Sequence, residues 1–130
     1  YFDWNYIPDY ELPEVIKKVD FGIVTLNRNN YTQNIPGKFV SYTQVGLPIL
    51  CFANINSSLS KLINKYNCGV VIDRSLDIKK NIKLIEKFFC QIRKDTKFYK
   101  IRSQKLFVKY FDTNKVTDQI LNFTKNNDIN

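Results

Sequence analysis

Gln33-Asn34-Ile35-Pro36-Gly37-Lys38-Phe39-Val40-Ser41-Tyr42-Thr43-Gln44-Val45-Gly46-Leu47-Pro48-Ile49-Leu50 reads as a loop, a short helix, a tight turn and a buried strand. Asn34 is suited to cap the helix, because its side-chain oxygen accepts an amide the first turn leaves unpaired. Pro36 fits just inside the start, where a missing N–H costs nothing. Gly46 suits a left-handed helix end. The apolar run to Phe52 is that of a strand covered on both faces. Asn34, Lys38 and Ser41 recur at three- and four-residue spacing and share one face, while Phe39, Val40 and Thr43 turn to the other. A polar face at a helix N-terminus, close to strand ends, is suited to an anionic ligand.

The flanking sequence alternates strand and helix. Trp4–Ile7 reads as a short strand, and Leu12–Val19 as a helix with Pro13 in its first turn and Leu12, Val15, Ile16 and Val19 on one stripe. Phe21–Leu26, rich in β-branched residues, reads as a central parallel strand. The polar loop 27–34 holds Arg28, which has the reach to contact a phosphate or a sugar hydroxyl and equally fits a solvated loop arginine. After Phe52 a second polar loop ends at Ser57 or Ser58, either of which can cap a helix with Leu59, Leu62, Ile63 and Tyr66 on its inner stripe. Asn67 suits a left-handed helix end and Gly69–Ile72 a strand. Three helices follow: one capped by Ser75 or Asp77 with Ile78, Ile82, Ile85, Phe89 and Ile92 inward, one carrying Phe98, Ile101, Val108 and Phe111, and one capped by Thr113 with Val116, Ile120 and Phe123 inward. Short connections between strands and helices predict an α/β fold, a Rossmann-like parallel sheet with helices on both faces. One domain over 1–125 and a frayed tail over 126–130 are expected.

The motif Pro-x-Lys-Phe-x-x-Tyr-x-x-x-Gly-Leu-Pro-Ile resembles the donor-binding segment of family 4 glycosyltransferases, retaining enzymes of the GT-B fold, many of which assemble bacterial surface polysaccharides. Tyr6-Ile7-Pro8-Asp9 with Glu11-Leu12-Pro13, and Val19-Asp20-Phe21-Gly22-Ile23-Val24, resemble the family's approach to that segment. The resemblance covers roughly residues 4 to 75. It implies a partial GT-B C-terminal domain, a piece of a two-domain enzyme that by itself does not catalyse transfer. In the related enzymes two glutamates separated by seven residues mark the donor site. That spacing falls on Gln33 and Ser41, neither acidic. Serine in place of a carboxylate weakens ribose binding by roughly 1–2 kcal/mol, about tenfold or more. The site implied for the nucleotide sugar comprises Gln33, Asn34, Gly37, Lys38, Ser41, Arg28 and Ser57, with no catalytic residue, metal or cofactor from this domain; Ser57 fits a purely capping role equally well. A glycan or lipid-linked acceptor is expected to bind the other domain, and the setting implied is the cytoplasm at the inner face of the plasma membrane. A non-catalytic α/β interaction module that has lost the donor site is the alternative.

Composition narrows the partners. Twenty basic and twelve acidic residues give a formal charge of +8, which favours anionic partners: a nucleotide-sugar phosphate, an acidic membrane surface contacted peripherally, or nucleic acid. A lysine-rich solvated surface explains the same number. No nucleic-acid-binding motif accompanies the charge, so nucleic acid is not expected. No apolar run approaches the ~18 residues of a membrane span. Cys51, Cys68 and Cys90 have no Cys-x-x-Cys and no histidine beside them; a zinc site is not expected, and all three read as reduced buried thiols. Glu11 and Glu14 fall at the start of a helix and do not pair across a cleft, which argues against a hydrolase. An open strand edge is a place where two copies can pair, so a homodimer is among the partners considered.

Overall fold

The structure is a computed structural model that describes residues 7–8, 10–27, 29 and 34–127, the side chains of 120 and 123–127 excepted. Three strands, β1 (Gly22–Thr25), β2 (Ile49–Phe52) and β3 (Gly69–Ile72), form a parallel sheet in the order β1-β2-β3. Six helices accompany them: α1 (Leu12–Ile16), α2 (Gly37–Val45), α3 (Ser58–Tyr66), α4 (Ile78–Lys94), α5 (Thr96–Tyr110) and α6 (Thr113–Asn127). Gly22 sits opposite Ile49, and Ile49 opposite Gly69. The α/β class and the Rossmann-like sheet flanked by helices are as the sequence predicts.

Strand alternation divides the core in two. Val24, Ile49, Cys51 and Val71 point to one face, where Phe39 of α2, Leu59 and Ile63 of α3 and Leu106 of α5 close over them. Leu50 and Ile72 point to the other, against Phe88 and Ile92 of α4 and Tyr99 of α5. The middle strand is therefore clad on both sides, which is why its sequence is an unbroken apolar run. Among the described residues β1 lies at an edge of the sheet, and its residues Ile23 and Thr25 are exposed, with Ile23 at 49%. An apolar run does not distinguish an edge strand from a middle one. The strand expected at Trp4–Ile7 lies outside the described residues except for Ile7.

Close approach explains two glycines. A Cβ on Gly69 would stand 2.0 Å from the Ile49 carbonyl oxygen, and one on Gly22 would stand 2.3 Å from the Tyr42 ring. Gly46 ends α2 at φ +86°, the left-handed conformation that favours glycine. The turn it makes is locked from a distance: the buried Ser103 hydroxyl donates to the Leu47 carbonyl at 2.7 Å.

Several expectations about caps and faces are corrected. The residue preceding α2 is Pro36, in extended conformation, and no side chain caps the helix; Asn34 lies two residues further back and exposed. Of the two candidates for α4, Asp77 provides the cap as expected, accepting from the Lys79 amide. At α6 the capping carboxylate is that of Asp112, which accepts from the Asn114 amide, and Thr113 is already helical. The inward stripe of α4 is Asn81, Ile85, Phe88 and Ile92, leaving Ile78 72% and Ile82 49% exposed. Asn81 sets that rotation, because its side-chain amide donates to the buried Asp73 carbonyl at 2.9 Å. On α5 the buried residues are Tyr99, Ser103 and Leu106, not Ile101 and Val108, and on α6 Val116 is exposed rather than inward. In α1 only Ile16 is buried, and Val19 lies beyond the helix and exposed. Cys51 and Cys68 are buried, but Cys90 is exposed on α4. The last helix continues to Asn127.

Candidate functional site

Each crossover leaves a strand at its carboxyl end and begins a helix there, so α2, α3 and α4 all present their amino ends to one edge of the sheet. This edge is where open α/β sheets bind ligands, since helix amides and strand-end loops converge on it. A narrow crevice of about 30 Å³ crosses all three strand ends, lined by Leu26, Phe52, Ala53, Asn54, Asp73 and Arg74. It holds about one water molecule.

The crevice is braced from below by Asp73, which is 4% exposed. Its Oδ2 accepts the Ile55 amide at 2.8 Å, and its Oδ1 accepts the Ser75 amide at 2.8 Å and the Ser75 hydroxyl at 2.7 Å. One carboxylate thereby fixes the loop after β2 to the loop after β3. Asn54 completes the first loop: its side-chain oxygen accepts the Asn56 amide and its carbonyl accepts the Ser60 hydroxyl. Arg74 is exposed at the rim and is the cation of the crevice among the described residues. Neither Asp73 nor Arg74 stands out in the sequence as a site residue. The available signal is an Asp-x-Ser at the end of a strand, a pairing that recurs where a side chain folds back on its own loop.

Beside this edge opens a larger groove of about 470 Å³, lined by Ile35, Ser58, Lys61, Leu62, Lys65, Tyr110 and Phe111. Ile35 and Ser58 bring the segment before α2 and the amino end of α3 to one cavity, although they are remote in sequence. Its floor is apolar, and its charged lining residues are Lys61 and Lys65. The Tyr110 phenol is held below its ordinary range by a hydrogen bond with Tyr66 and by the charges of Lys65 and Lys109. The Tyr66 and Tyr110 rings meet edge to face at 5.8 Å.

The sequence-predicted site residues are only partly gathered here. Asn34, Gly37 and Lys38 are exposed at the amino end of α2. A Cβ on Gly37 would meet nothing within 4 Å, so the backbone there is open to approach. Ser41 is half-buried and its hydroxyl donates back to the Gly37 carbonyl at 3.3 Å. Ser57 is fully buried: its hydroxyl accepts the Ser60 amide at 3.1 Å and donates to the Ser60 hydroxyl at 2.9 Å. Its oxygen is thus occupied by capping α3. Arg28 and Gln33 lie outside the described residues. Among the described residues no three His, Cys, Asp or Glu side chains gather as a metal site, and no helix is long and apolar enough to cross a membrane.

Comparison of the chain with protein-family models, with curated proteins and with solved structures returns no match.

Proposed function

We propose that the chain is the nucleotide-sugar-binding domain of a retaining glycosyltransferase of the surface-polysaccharide type, working at the cytoplasmic face of the membrane. The observation that carries this reading is the open amino end of α2, with Asn34, Gly37 and Lys38 exposed, at the sheet edge where the three strands end. These are residues of the segment that resembles the family's donor site. The groove of about 470 Å³ beside it has the size of a small-molecule site. In this reading the diphosphate meets the free amides of α2 and the Lys38 ammonium, both of which favour negative charge. As the bond to the sugar breaks, charge accumulates on the leaving diphosphate, and a fixed dipole with a nearby cation stabilises it without reorganising. The acceptor and the remaining phosphate contacts belong to a second domain.

Ser41 favours the second reading, an interaction module that has lost the donor site. Its hydroxyl is tied to the Gly37 carbonyl rather than displayed for a ribose. Titration with uridine and guanosine diphosphates, followed by amide shifts, separates the two. Binding by the donor domain moves the amides of Gly37, Lys38 and Ser58, more strongly in a Ser41→Glu variant. Unmoved amides in both the native chain and that variant, with a full-length parent protein also failing to bind, would select the interaction module.

A further inference from the structure

The outer face of α5 sets exposed aliphatic side chains among lysines. Tyr99, Ser103 and Leu106 turn inward, so the opposite stripe, centred on Ile101, meets solvent. Ile101 is 64% exposed, and Val108, two turns on, is 40% exposed. They line a shallow groove of about 610 Å³ between α5 and α6 together with Lys105, Lys109 and Lys115. Every charged residue lining it is a lysine. The helix itself carries Lys97, Lys100, Arg102, Lys105 and Lys109 and no acidic residue. The nearest acids along the chain are Asp95 and Asp112, whose carboxylates cap α5 and α6, and Asp118 lies on α6.

We infer that this α5–α6 face docks on an anionic lipid bilayer, with Ile101 and Val108 entering the headgroup–acyl boundary and Lys105, Lys109 and Lys115 pairing with lipid phosphates. Aliphatic residues flanked by lysines on one helix face are the pattern of an in-plane membrane contact. The long lysine stems lie along the apolar boundary while their ammonium groups reach back to the phosphates. Charge complementarity names the lipid as anionic, and branched aliphatics at the centre distinguish it from a nucleic acid, for which aromatic stacking platforms are expected. The inference goes beyond the donor-site reading and does not depend on it, since none of these residues lines the carboxyl edge of the sheet.

Flotation of the full chain with vesicles tests it, comparing phosphatidylcholine alone with phosphatidylcholine mixed with phosphatidylglycerol. The chain is expected to float with the anionic vesicles only, and less so as salt rises. Ile101→Ser, at an exposed position that the core does not need, lowers the vesicle affinity about tenfold. Lys105→Gln and Lys109→Gln lower it about fivefold each. Failure to float with anionic vesicles overturns the inference. So does flotation that Ile101→Ser leaves unchanged, because lysines alone would then account for it. Tight binding of single-stranded RNA that the lysine variants weaken and Ile101→Ser does not would reassign the face to nucleic acid.

Discussion

Gly37 is the residue at which fold and ligand make opposite demands. It opens α2 with open space where a Cβ would stand, so the packing gives no reason for glycine there. Gly37→Ala should raise stability by about 0.4–1 kcal/mol, because alanine adopts the same backbone with less freedom to lose on folding. If a diphosphate approaches that backbone, the same methyl group should weaken its binding. Thermal melting and a diphosphate titration of one variant read both effects; a more stable chain with unchanged affinity removes Gly37 from the site. Ser57 shows the reverse case. Its hydroxyl is legible in the sequence as a cap or as a ligand contact, and its complete burial against Ser60 assigns it to the cap.

At the level of elements, the strand and helix sequence was legible while the rotation of the outer helices was not. α2, α3, β2 and β3 follow their apolar spacing and their glycine and asparagine ends, because those signals are local. α4 and α5 instead take their orientation from polar side chains with partners outside their own helix, Asn81 on the Asp73 carbonyl and Ser103 on the Leu47 carbonyl. A count of apolar positions assigns such residues to the surface. The candidate site was half legible for the same reason: the α2 segment announces itself, whereas Asp73 becomes visible only once the two loops it joins are adjacent. Ser103→Ala should cost about 1–3 kcal/mol, since it deprives a buried carbonyl of its donor. A lowered urea midpoint checks this, and an unchanged midpoint would mean that the Leu47 carbonyl finds another partner.

For the whole molecule, the two buried thiols make stability depend on alkaline pH. Burial pushes Cys51 and Cys68 from the ordinary 9.0 up to about 12. Their contribution is complete below pH 9, where folded and unfolded chains both hold the protons. Above it the unfolded chain releases them first, so stability falls until about pH 12, by about 1.4 kcal/mol per pH unit for each thiol. Urea midpoints on either side of pH 9 should show this fall, reduced in a Cys51→Ala, Cys68→Ala variant; equal slopes would mean other groups carry it. The bond from Ser103 to Leu47 has a further consequence during synthesis. Its partners are 56 residues apart, so at ~5–20 residues per second the turn before β2 emerges roughly 3–11 s ahead of the serine that ties it down. Throughout that interval the middle of the sheet is present without its fastening, and the nascent chain offers its most apolar strand to whatever waits at the ribosome exit.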